Sequence, residues 1–370
     1  MDLLFTGKQC EARNNNSQEG ILLMISPTFS RSLLAALLAG SAFSVLAADA
    51  MLRSPVGKGA YEMAYSPAEN ALFVATSGSR KNEVGGVVYQ LDPQTLTVVK
   101  TLHNDLKPFG ATINTKTNTL WFGNTMNSAI TAIDAASGVV KGRLVLDDRK
   151  RTETVRPLAP RELAVDEATN TVYMGGLGPE SVIWVVDGAT LKLRNTISGL
   201  GKMNTGLALD SAAGRLYTSN GDGEFITIDT ATGKVLARKK LLDDGKEHML
   251  LNISLDTANH RAFVTDSKGT DLLVVDTRTG DVTGKVALPE SLAVLFNPAR
   301  NEVYVTHRQA GEVSIIDAST LKLTKTLKTP VHPNSLALSP DGKTLYVSVK
   351  QVSTRQQEAT LPDDILRITL

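Results

Sequence analysis

Cysteine is nearly absent. The 370-residue chain has one, Cys10, which excludes a disulfide framework, a thiolate metal centre and C-x-x-C-H haem attachment. Aromatic residues make up only 5% of the chain, so a core must be built mainly from aliphatic and β-branched side chains. An excess of either charge is missing too: the formal net charge is +1, which argues against strong non-specific polyanion binding. No amphipathic pattern at helical spacing runs over any long window.

The single sustained apolar run, residues 33–46, follows Arg31 and ends on Val45-Leu46-Ala47. A basic residue, a short apolar core and small residues at a cleavage position identify residues 24–47 as a secretory signal peptide. The run is too short to span a bilayer. Cleavage after Ala47, export to the periplasm and a mature N-terminus at Ala48 are expected. Ser41 follows Leu38-Ala39-Gly40, where a lipoprotein anchor would need cysteine, so no membrane anchor is expected. Residues 1–23 precede a complete signal and read as an over-long start. Removing 1–47 takes away Lys8, Arg13 and Arg31 against Asp2, Glu11 and Glu19, so the mature chain keeps its charge.

What is present is repetition. Residues 291–327 read as four short strands in succession, separated by Gly, Asn, Asp and Ser turn clusters, the pattern of an antiparallel meander. The second strand of that unit recurs as NALFVAT (70–76), NTLWFGN (118–124), NTVYMGG (170–176), GRLYTSN (214–220), HRAFVTD (260–266), NEVYVTH (301–307) and KTLYVSV (343–349). Each copy carries an aromatic in the same slot. The third strand recurs with a terminal aspartate at Asp92, Asp134, Asp187, Asp229, Asp276 and Asp317. A period of about 45 residues belongs to four-stranded propeller blades, not to helical repeats. The seventh copy has its first two strands in 333–349 and its third in 364–370, but lacks a fourth; residues 51–56 have no other partner. The expectation is all-β: one seven-bladed β-propeller over 48–370, its ring closed by the N-terminal strand in the last blade, which removes two free sheet edges.

The hydrophobic-hydrophobic-Asp third strand and the Tyr-Val-Thr second strand resemble the YVTN-type propeller repeat. The phrases GKGAYEMAYS, NDLKPFGATIN, LVLDDRKRTE, KKLLDDGKEH and FNPARNEVYVTHRQAG are similar to those of the YncE-like family of bacterial periplasmic propellers. The resemblance covers the chain from signal to C-terminal strand. It implies a periplasmic propeller with DNA, chiefly single-stranded DNA, as the ligand; it implies no enzymatic reaction.

Binding residues on a propeller are expected on the face carrying the links between blades and the second-to-third-strand loops. There, a basic residue precedes the innermost strand of several copies: Lys58, Lys107, Lys202 and Lys246, with Arg161 and His332 in comparable slots. If the register holds, these ring one mouth of the central channel. Gly-Lys pairs at 233–234, 284–285 and 342–343 lie on other turns, so the pattern also has an ordinary reading as turn chemistry. Arg149, Lys150 and Arg151 open the longest inter-blade link and could grip phosphate, or be balanced by Asp147, Asp148 and Glu153. Phe109 is the aromatic on this face placed to stack on a base. The five histidines show no ligand spacing, no G-x-S-x-G occurs, and no catalytic residue, metal or cofactor is expected. The expectation is therefore a monomeric binding protein for an anionic ligand such as single-stranded DNA. A protein-interaction scaffold of the cell envelope is the alternative, and a lactonase-type enzyme would need carboxylates and histidine converging on the channel.

Overall fold

Each copy forms one antiparallel sheet whose second strand is buried on both faces in blades 1, 2 and 7, and seven such sheets of four strands follow one another along the chain. The computed structural model describes residues 51–79, 85–330, 332–354 and 356–370, all within a single unit; the signal-peptide reading falls outside them. Blades 1 to 6 take residues 60–104, 110–145, 159–197, 206–240, 250–287 and 294–328, and blade 7 takes 333–369. The fourth strand of blade 7 is Met51–Gly57, paired antiparallel with Asp363–Thr369 from Met51 opposite Ile368 to Gly57 opposite Asp363. Arg53 reinforces it with two hydrogen bonds to Asp364, at 2.9 and 2.6 Å. The chain is a seven-bladed β-propeller closed by its N-terminal strand.

The recurrent aromatics Phe73, Trp121, Tyr173, Tyr217, Phe263, Tyr304 and Tyr346 are all buried. Sheets pack face to face with their neighbours: Phe73 and Val88 of blade 1, for example, meet Leu120, Phe122 and Ile133 of blade 2. Each such side chain contributes roughly 1.5–3 kcal/mol on burial. The terminal aspartates do turn chemistry. Asp92 accepts the backbone N–H groups of Gln94 and Thr95, and Asp187 those of Ala189 and Thr190, so each carboxylate replaces a backbone acceptor in a tight turn.

One irregularity is common to all blades. Near the start of each innermost strand, two residues oppose one on the second strand, a β-bulge. Tyr61-Glu62, Arg161-Glu162, Leu251-Asn252 and Asn334-Ser335 fall at register shifts. The bonds Phe109 N to Gly123 O, Thr205 N to Ser219 O and Leu292 N to Thr306 O mark the same feature in blades 2, 4 and 6. The strand expected from residue 291 accordingly begins at Val294. In blades 5, 6 and 7 a hydroxyl on the second strand satisfies the bulge: Thr265, Thr306 and Ser348 accept the N–H of Asn252, Ala293 and Ser335. Blades 1 to 3 have Ala75, Gly123 and Gly175 there, and Glu62 N donates instead to Phe109 O of the next blade.

Candidate functional site

A bulge turns the second of its two residues toward the propeller axis. Glu62, Ala111, Glu162, Asn252, Ala293 and Ser335 line one cavity of about 160 Å³ on the axis, with contributions from blades 1, 2, 3, 5, 6 and 7. In blade 2 the bulge position is Gly110, where a Cβ would sit 1.9 Å from the Arg161 carbonyl oxygen. Only glycine fits so close an approach. With no side chain between them, Glu62 and Glu162 face the same cavity across blade 2, close enough for each carboxyl to perturb the other. Burial first, then the Glu162 charge, hold the Glu62 carboxyl well above the usual carboxylate range. Burial also raises Glu162, against the opposing pull of Glu62 and of Arg161. Two carboxyl groups so placed cannot both ionise cheaply, and they titrate as a pair.

The first bulge residues of blades 1, 2 and 3 are Tyr61, Phe109 and Arg161, and they meet above that pair. The Tyr61 and Phe109 rings lie 4.4 Å apart between centroids, inclined at 44°. Arg161 places its guanidinium carbon 5.6 Å from the Tyr61 centroid, and among the described residues it has neither an ion pair nor a hydrogen bond. Lys350 Nζ stands 3.6 Å from the same centroid. Lys350 is fixed there, donating to Ala60 O at 3.0 Å and to Asp363 at 3.3 Å. His332 holds the neighbouring link through its backbone carbonyl, which accepts Lys350 N–H at 3.0 Å. Burial, then the charges of Arg308 and Lys350, hold its imidazole below the usual histidine range.

The expected basic residues separate into groups. Arg161 and Phe109 come together, around Tyr61. Arg161 occupies the bulge slot of Tyr61, further along the strand than the slot of Lys58. Lys58 is exposed and lines a concavity with Tyr61, Ser79, Lys350 and Asp363. Lys107 is buried, its ammonium donating to Ser79 O at 2.5 Å. Lys202 and Lys246 share a groove between blades 4 and 5 with Lys240, Glu247, His248 and Lys268. Lys202 pairs with Asp222 at 3.1 Å. His248, bonded to Asp266 at 2.6 Å and Asp244 at 2.8 Å, anchors the loop that carries Lys246. Burial opposes its charge, but the two carboxylates outweigh burial and raise its pKa. Arg149 is engaged by Asp147 through two hydrogen bonds, which lower that carboxyl to about 2. Lys150 and Arg151 are exposed on the same link.

Sequence reasoning passed over Tyr61, Glu162 and Lys350, and placed Glu62 only among the acidic residues near the rim. A signal existed for three of them: Tyr-Glu (61–62) and Arg-Glu (161–162) fall at the same offset from the repeat aromatic. Lys350 directly follows the second strand of the seventh copy and gave none. Among the described residues, no three His, Cys, Asp or Glu side chains converge as a metal ion would need, and no helix is long and apolar enough to cross a membrane.

Comparison with known proteins agrees with this architecture. A family model described as outer membrane protein assembly factor BamB matches residues 127–356. The protein YncE of Salmonella typhimurium is 69% identical over 348 residues, covering 94% of this chain and 99% of its own length. YncE of Escherichia coli is 71% identical over 338 residues, covering 91% and 96%. Among solved structures, hydrazine synthase of Kuenenia stuttgartiensis superposes with a TM-score of 0.65 at 16% identity, over 79% of this chain and 93% of that one; the likeness is one of fold.

Proposed function

Since the chain belongs to the YncE family of seven-bladed β-propellers, we propose that it is a periplasmic binding protein for an anionic polymer, with single-stranded DNA the ligand its chemistry suits best. The observation that carries this reading is Arg161, a guanidinium with no salt bridge among the described residues, beside the Tyr61–Phe109 ring pair. A flexible strand offers what that cluster lacks: a base to stack on an aromatic face and a phosphate to meet the fork of donors. Lys58 adds charge on the Tyr61 side, and Lys202, Lys240 and Lys246 would extend the track toward blade 5. A near-neutral chain fits a ligand held by a local cluster, not by the field of the whole protein. The periplasmic setting rests on the signal pattern of residues 24–47.

Binding is measured by fluorescence anisotropy with a labelled oligodeoxythymidine, duplex DNA of the same length and inorganic polyphosphate, each across a salt series. Single strands are expected to bind best. Tyr61→Ala is expected to remove roughly 1–3 kcal/mol, and Arg161→Gln to flatten the salt slope by about 0.7. Equal affinity for all three probes, or no change in either variant, refutes the assignment. A scaffold role in the envelope is the second reading, favoured by the family model's description; capture of a defined envelope protein with no DNA binding would select it.

A further inference from the structure

The channel carboxyls Glu62 and Glu162 sit directly behind the proposed anion site, with no ligand-binding role assigned to them. Their juxtaposition is built in, because it needs glutamate in the same bulge slot of blades 1 and 3 and glycine in that slot of blade 2. The groups around them are few. Ala111 N–H donates to Glu62 at 2.9 Å. Arg161 is the cation whose field reaches both carboxyls. Asn252, Ala293 and Ser335 complete the wall from blades 5, 6 and 7, and none of these ionises. With one shared proton the pair carries a single negative charge, which offsets Arg161; with none it carries two, and the local balance turns negative.

We propose that anion binding beside Arg161 is coupled to uptake of one solvent proton by the Glu62–Glu162 pair, so that the site binds more tightly at acid than at alkaline pH. This rests on the reading of the mouth as an anion site. A ligand phosphate and an ionised carboxyl pair compete for the same guanidinium. Bringing the phosphate in raises the cost of the second carboxylate charge, and the proton returns to the pair. A phosphodiester does not titrate near neutral pH, so the proton must be held by the protein. His332 is the other group near the mouth able to take one, since burial and the charges of Arg308 and Lys350 keep it neutral.

The test is calorimetric titration of the mature chain with oligodeoxythymidine in buffers of different ionisation enthalpy, repeated from about pH 5 to about pH 8, where a coupled proton weakens binding by up to about tenfold per pH unit. Wild type and His332→Asn are expected to take up a proton on binding. Glu62→Gln, with Glu162→Gln as a second variant, should take up none and should keep at alkaline pH the affinity wild type shows at acid pH. Binding by wild type without proton uptake overturns the coupling alone. Uptake that survives in both glutamine variants and vanishes in His332→Asn assigns the proton to the histidine and also overturns it. If wild type binds at no pH, the anion-site reading falls and the coupling with it.

Discussion

Removing the Asp363 carboxylate tests what locks the ring at the junction of blades 7 and 1. Asp363 is 4% exposed and accepts from Ala60 N at 2.8 Å, Gln351 N at 2.7 Å and Lys350 Nζ at 3.3 Å. Asp363→Ala strips three donors at once. Ala60 and Lys350 are themselves 0% and 7% exposed, so water cannot replace the lost acceptor without opening the junction. Breaking a buried pair from one side costs about 3–5 kcal/mol, and each orphaned N–H about 1–3 kcal/mol. These overlap, because one carboxylate serves all three, so the expected loss is about 3–5 kcal/mol in equilibrium urea unfolding. Lys350→Met leaves the two backbone donors satisfied and should cost less. Combined with Asp363→Asn, it should show a coupling of about 1–3 kcal/mol in a double-mutant cycle. A loss below about 1 kcal/mol for Asp363→Ala, or additive single effects, would show that the junction is held by apolar packing and that the carboxylate is dispensable.

Deleting 51–57 should leave Asp363–Thr369 as an open edge, with lower thermal stability and aggregation by light scattering; unchanged melting would mean that the closing strand is incidental. Lys107→Gln should destabilise measurably, because it removes a buried donor to Ser79, whereas Lys202→Gln with Lys246→Gln should leave urea unfolding unchanged and reduce the salt dependence of DNA binding. The same substitutions at Lys234, Lys285 and Lys343 serve as the control. Gly110→Val should cost at least the 1–3 kcal/mol of an overpacked site, since its Cβ meets a backbone carbonyl; calorimetric melting would register it. Asp187 and Asp276 have their pKa lowered to about 2, Asp187 first by the Thr190 N–H and Asp276 first by Arg278. A depressed folded-state pKa contributes stability that is complete above the unfolded value and lost as pH falls toward 2. Asn at either position should therefore lower the melting temperature at neutral pH, where that stability is complete, and flatten acid unfolding below about pH 4.

The fold was legible because the copies repeat the same physical necessities: a buried aromatic in all seven, a run of β-branched residues, and in six an aspartate to close the turn. Even ring closure could be read, since the seventh copy lacked a fourth strand and residues 51–56 lacked a partner. The site was harder for a specific reason. Lys58, Lys107, Lys202 and Lys246 look alike in a window of a few residues, but burial separates them, and burial at a mouth depends on neighbouring blades. Lys107 is covered by Ser79 of the preceding blade; Lys246 is held on an exposed loop by His248. The bulge was not foreseen at all. It shifts the inward-facing residue by one, which brings Arg161 beside Tyr61 and Glu162 against Glu62, contacts that spacing within one copy cannot reveal.

The pairing of Met51–Gly57 with Asp363–Thr369 also sets an order of events. The strand Met51–Gly57 has no partner until Asp363–Thr369 has been made, and residues bonded across this seam lie 311 positions apart. Six blades can each form as a local hairpin meander. The seventh is assembled from two segments far apart in the chain, a contact whose closure entropy falls due only at the end. Until then the nascent ring carries two adhesive edges that a neighbouring chain could satisfy as well as its own. Synthesis must therefore deliver this molecule whole: a chain stopped a few residues short would lack its clasp, with six finished blades and nothing to hold the first against the last.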